Sequence, residues 1–130
     1  MSYDIATLLG RNLHDVFGEG DDALRRQVAE EIFHEDAIFV EQHGVHQGRE
    51  EIIRIAGVIR QTHPTFRYTP AAPAEELHGR AGRLRWTAGE PDGAPVYAGT
   101  DFIVAKDGRI AAIYLFFDGQ PDPTAKSGDA

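Results

Sequence analysis

The sequence predicts an α+β domain in which helices pack on one face of a curled, mostly antiparallel sheet. Apolar residues recur at helical spacing through the first half of the chain. Strand-like runs separated by turn residues fill the second half. Helices first and antiparallel strands after is an order that favours segregated α+β packing. A sheet that curls to cover its helices leaves a cone, and the cone's interior is a ready pocket for a small apolar ligand.

Ile5, Leu8, Leu9, Leu13, Val16 and Phe17 define an amphipathic helix over about 4–17, stopped by Gly18 and Gly20. Asp21 or Asp22 can cap a second helix, whose inner face carries Leu24, Val28, Ile32 and Phe33. A short strand is expected from Ala37 to Glu41, then a loop over Gln42–Gly48. Arg49–Thr62 reads as a third helix with Ile52, Ile53, Ala56 and Ile59 inward, and Pro64 follows where helices stop. Strands are expected over Phe66–Thr69, Glu75–Ala88, Val96–Ala105 and Arg109–Phe117. Pro91-Asp92-Gly93 and Lys106-Asp107-Gly108 supply turns between them.

The 130 residues suit one domain, expected over 1–118. Residues 119–130, with Pro121, Pro123 and small polar residues, read as a flexible tail. There is no cysteine, which excludes disulfides and thiolate chemistry. No apolar run approaches the roughly 20 residues of a membrane helix, and the first residues show no signal pattern. A cytoplasmic protein without membrane contact is the expectation. The net charge of −8 argues against a nucleic-acid partner. Arg80, Arg83 and Arg85 are the densest basic stretch; Arg83 and Arg85 share one strand face, solvated or subunit-facing. His43 and His46 flank Gly44 without the i, i+4 helix spacing of a zinc pair, so no metal is expected. Either could carry protons at a pocket mouth.

Several local patterns resemble the SnoaL-like family of the nuclear-transport-factor-2-like superfamily. They are Phe33-His34-Glu35-Asp36-Ala37-Ile38-Phe39-Val40-Glu41, Gly48-Arg49-Glu50-Glu51-Ile52, Gly99-Thr100-Asp101-Phe102, Asp107-Gly108-Arg109-Ile110 and Tyr114-Leu115-Phe116-Phe117-Asp118. The resemblance spans about residues 5–118. It implies a cone-shaped fold with three N-terminal helices, a small-molecule ligand, and a homodimer through the outer sheet face. It also implies cofactor-free acid–base chemistry of isomerase, cyclase or dehydratase type on a small, largely apolar carbonyl compound. A non-catalytic binding or accessory domain is the alternative, because this fold hosts both.

Registering the last strand by resemblance to ketosteroid isomerase puts Ala111, Ile113, Leu115 and Phe117 inward, and Tyr114 and Phe116 on the outer, dimer-forming face. The same registration puts Asp101 inward beside Ile103, where related isomerases and cyclases carry a catalytic Asp. A carboxyl among apolar neighbours is held neutral and can donate or transfer a proton. Alternatively, Asp101 bonds backbone N–H groups near a bulge at Gly99. Glu41 falls at the isomerases' general-base position, or is a solvated strand end. Trp86 and Leu84 line the pocket or pack in the core. Tyr97 shares the parity of Asp101 unless Gly99 bulges. Phe39 and Phe117 are expected as wall, and His43 near the mouth. Two departures stand out. Leu13 occupies the isomerases' oxyanion-hole tyrosine position, with His14 pointing elsewhere. Leu84-Arg85-Trp86 and Leu115 lack the Asp–Arg–Asp set of limonene-type epoxide hydrolases.

Overall fold

The first helix begins where Asp4 can cap it. Its carboxylate accepts from the Thr7 N–H at 2.7 Å, satisfying one of the helix's open donors. In the computed structural model, which describes residues 3–118, α1 (Ile5–Arg11) runs into a π-helical segment, Asn12–Phe17. The tail expected over 119–130 lies outside the described residues. The spacing predicted one regular helix here, and the wider turn corrects it. Gly18 closes the segment by donating its N–H to the Leu13 carbonyl, five residues back, at 2.9 Å. A Cβ on Gly18 would stand 2.9 Å from the His14 carbonyl oxygen, so this closure needs glycine. The wider turn buries Asn12 together with Leu13, Val16 and Phe17.

α2 (Asp22–Ile32) starts at Asp21, whose carboxylate accepts from the Ala23 and Leu24 N–H groups. Its Arg25 is buried. The guanidinium donates to the Val16 carbonyl at 3.1 Å and to that of Glu19, and pairs with Asp22. It thereby satisfies carbonyls left open at the end of the π segment. α3 (Arg49–Thr62) keeps the expected bounds and buries Ile52, Ile53 and Ala56.

The strands are β1 (Phe33–Glu41), β2 (Gly44–Gln47), β3 (Arg67–Pro70), β4 (Glu75–Leu77), β5 (Ala81–Gly89), β6 (Tyr97–Lys106) and β7 (Arg109–Phe117). Among the described residues they form one sheet in the order β2-β1-β7-β6-β5-β3, with β4 also on β5. Every pairing is antiparallel except β1 with β7. Three expectations are corrected. β1 starts at Phe33 rather than Ala37. The segment Gln42–Gly48 contains an edge strand. Glu75–Ala88 is a hairpin folded at His78 and Gly79, both left-handed at φ 52° and 67°.

No bulge forms at Gly99: β5 and β6 pair unbroken from Ala81 with Val104 to Ala88 with Tyr97. The irregular step lies instead between Val104 and Ala105, opposite Ala111. It sends Ile110 into the core and leaves Ala111, expected inward, only partly buried.

α1 packs on β5 and β6 and α3 packs on β1, so the helices share one sheet face. At the α1 end the core is tight: a Cβ on Gly82 would lie 2.3 Å from Ile5. Gly82 pairs with Ile103, and Ile103 with Ile113. The opposite sheet face carries Phe102, Val104, Tyr114 and Phe116, and Phe116 is 63% exposed.

Candidate active site

The inward residues of β6 are Ile103, Asp101, Gly99 and Tyr97, in order away from α1. Ile103 is fully packed, whereas Asp101 and Tyr97 border a cavity of about 280 Å³. Asp101 therefore sits where solid core gives way to open space. The cavity wall is mostly aromatic and aliphatic, including Phe17, Phe39, Tyr68, Trp86, Tyr97 and Phe117, with Ile55, Val58 and Ile59 from α3. Glu41, His43, His46 and His63 add polar groups.

Most residues expected in the pocket line it: Asp101, Glu41, Trp86, Leu115, Phe117, Tyr97, Phe39 and His43. Leu84, Ile103 and Ile113 do not. They are buried in the core, because the cavity begins one row further from α1. Leu13, at the position noted for its missing tyrosine, lines the cavity, while His14 points away and contacts the Tyr68 carbonyl at 3.0 Å. Tyr68, Phe17, His63 and the α3 residues were not anticipated.

Burial raises the Asp101 carboxyl to about 7, and the Trp86 indole N–H and the Asn12 amide oppose that rise. Among the described residues only the Asn12 contact is a hydrogen bond, a long one: Nδ2 donates to Asp101 Oδ2 at 3.4 Å. The indole nitrogen faces the carboxyl closely enough to favour its charged form, yet outside hydrogen-bond geometry. Among the described residues Trp86 Nε1 and Asn12 Oδ1 are buried without hydrogen-bond partners. The backbone-bonded alternative for Asp101 is thus replaced by side-chain company from the π segment. Asn12 was missed, since a lone Asn in a helical pattern signals a solvated face. Gly99 leaves room for the indole: a Cβ there would stand 2.9 Å from Trp86 Cζ2 and 3.1 Å from Leu115 Cδ1. Burial also pushes the Tyr68 and Tyr97 phenols up, so both stay neutral.

Glu41 is neither solvated nor alone. Its Oε1 accepts from the His43 backbone N–H at 3.0 Å and its Oε2 contacts His46 Nε2 at 3.0 Å. The His46 ring stacks on Phe39 at 5.4 Å, and its Nδ1 lies 3.9 Å from Glu51. Glu51 itself is forked by Arg54 at 2.7 and 2.6 Å. Among the described residues no three His, Asp or Glu side chains are grouped to hold a metal ion, and no helix is long and apolar enough to cross a membrane.

No protein-family model matches the sequence, and no curated protein matches it. Solved structures do. One is a candidate isomerase of the SnoaL-like family from Agrobacterium tumefaciens: 28% identical, covering 87% of this chain and 96% of that one, TM-score 0.79. A candidate polyketide cyclase from Sinorhizobium meliloti is 22% identical over 84% and 93% of the two chains, TM-score 0.63. A nuclear-transport-factor-2-like protein of unknown function from Cytophaga hutchinsonii is 17% identical over 91% and 95%, TM-score 0.65. The last two bear on the fold alone. Helices on one face of a mostly antiparallel sheet, with these neighbours, give a nuclear-transport-factor-2-like α+β fold. Within that class the chain is similar to a SnoaL-like protein over nearly its whole length.

Proposed function

We propose that the protein carries out cofactor-free acid–base chemistry on a small, largely apolar carbonyl compound, of isomerase, cyclase or dehydratase type. The sheet and helices form a cone, and its cavity is the reaction chamber. The observation that carries this reading is the buried Asp101 at the cavity's inner end, with its carboxyl raised to about 7. Such a group is part neutral at physiological pH. It can donate a hydrogen bond to a carbonyl oxygen as negative charge develops there, or pass a proton and take it back. Glu41 supplies a second carboxylate in the same cavity, and Trp86 a ring platform.

Exchange of the protons beside the carbonyl of 1-tetralone, followed by NMR in D₂O, tests the reading. The wild-type protein should accelerate exchange, and Asp101→Asn should lose at least ~10² of that rate. Equal rates for wild type and variant would remove the reading. A second reading, a non-catalytic ligand-binding domain, has one observation in its favour: both Glu41 oxygens already accept hydrogen bonds. Binding of 1-tetralone with no acceleration of exchange would select it.

We also propose a cytoplasmic homodimer joined through the outer sheet face. Phe116, Val104 and Tyr114 make that face apolar. The neighbouring cations are neutralised within the chain, Arg83 by Glu75 and Arg85 by Asp118.

A further inference from the structure

Asp101 and Glu41 stand in one row across the sheet. Asp101 pairs with Leu115 on β7, and Val40 of β1 pairs with Tyr114. One step further along the parallel pair brings Glu41 level with Leu115. The two carboxyl-bearing residues are thus two strand spacings apart, roughly 9–10 Å between backbones, on the face that lines the cavity. Leu115 lies between them and is apolar. Most of the remaining wall is ring faces and aliphatic carbon, with His43, His46, His63, Thr62 and the two tyrosines as further polar members.

The two ends differ in chemistry. At the Asp101 end is a carboxyl that, when neutral, can donate to an acceptor, and the Asn12 amide holds it at 3.4 Å. At the other end Glu41 is an acceptor, and each of its oxygens keeps a second lone pair after its bond to His43 or His46. Among the described residues lining the cavity there is no Lys or Arg to receive an anion. Glu41 would repel one. As for size, a cavity near 150 Å³ holds one benzene, so 280 Å³ suits two rings.

We infer that the pocket is built for a neutral two-ring hydroxy-ketone, its carbonyl oxygen toward Asp101 and its hydroxyl donating to Glu41, which His46 holds in place. This rests on the acid–base reading of Asp101 above and adds the second, hydroxyl-selecting pole. His46 is a positioning residue here. Its Nε2 contact and its stack on Phe39 fix the carboxylate that meets the ligand.

Isothermal titration calorimetry at pH 6 with three ligands of one skeleton tests this. The ligands are 6-hydroxy-1-tetralone (both groups), 1-tetralone (ketone only) and 5,6,7,8-tetrahydro-2-naphthol (hydroxyl only). The two-ended ligand should bind at least about tenfold more tightly than either one-ended one. Glu41→Gln and His46→Leu, checked for folding by circular dichroism, should erase most of the gain from the hydroxyl. Both should leave 1-tetralone within about twofold. Asp101→Leu should erase the gain from the ketone. A hydroxyl gain below twofold in the wild type, with 1-tetralone still dependent on Asp101, would overturn the second pole and leave the acid–base reading standing. A hydroxyl gain that survives Glu41→Gln also overturns it. Ketone binding indifferent to Asp101→Leu would sink the underlying reading. No binding of any of the three at 1 mM would overturn the two-ring class.

Discussion

Asp101 carries a stability cost that depends on pH. Its folded-state value of about 7 lies above the unfolded ~3.9, so the folded protein holds that proton more tightly. Its contribution is therefore full below pH ~4, is lost as pH rises, and levels off above pH ~7. Three pKa units correspond to on the order of 4 kcal/mol. Asp101→Asn removes the dependence, so in urea unfolding the variant should gain on the wild type steadily from pH 4 to 7. Parallel curves would mean a hydrated carboxyl. Gly99→Ala is the second test at this scale. Its methyl must displace the Trp86 ring or Leu115, costing about 1–3 kcal/mol. Because Trp86 is the chain's single tryptophan, its emission should shift as it moves. An unchanged spectrum with unchanged stability would contradict the packing described. The inward direction of Asp101 was legible because β6 alternates without a break from Tyr97 to Val104. What alternation could not tell was depth: Leu84, Ile103 and Ile113 face the right way, but α1 and α2 cover their part of the sheet.

At the scale of elements, α3 was legible to the residue. Its apolar period is regular, and Pro64 lies just beyond its end. The π segment was not, since Leu13, Val16 and Phe17 fit an α-helical spacing equally well. The β4–β5 turn was hidden too, because His78 supplies a left-handed residue where Gly or Asn is the usual signal. β2 is short and half-exposed, and so lacks an apolar pattern. The π segment depends on α2 through Arg25. Arg25→Met keeps most of the bulk but leaves the Val16 and Glu19 carbonyls without their donor. We expect a loss of about 2–4 kcal/mol in chemical denaturation. Displacement of Asn12 should follow, read as a further rise of the Asp101 carboxyl, because a bond that lowers it is lost. A loss under 0.5 kcal/mol would mean that water replaces the guanidinium.

For the whole molecule, the outer sheet face and the cavity lie on opposite sides of the same strands, so assembly and chemistry can be changed separately. Phe116→Glu should convert the proposed dimer to monomer in light scattering at micromolar concentration and leave 1-tetralone affinity within about twofold. A wild-type protein that is already monomeric there removes the dimer. The parallel contact of β1 with β7 has a different consequence, one for the order of events in time. The first long strand made, Phe33–Glu41, finds its central neighbour only in the last, Arg109–Phe117. During synthesis β1 must wait, one edge open, until about seventy further residues have emerged, so the three helices cannot settle early on a finished sheet. Long-range pairing of this kind is slow and exposes an unpaired edge. A nascent chain stalled before residue 109 should therefore stay protease-sensitive throughout, and protection should appear in one step once β7 clears the ribosome.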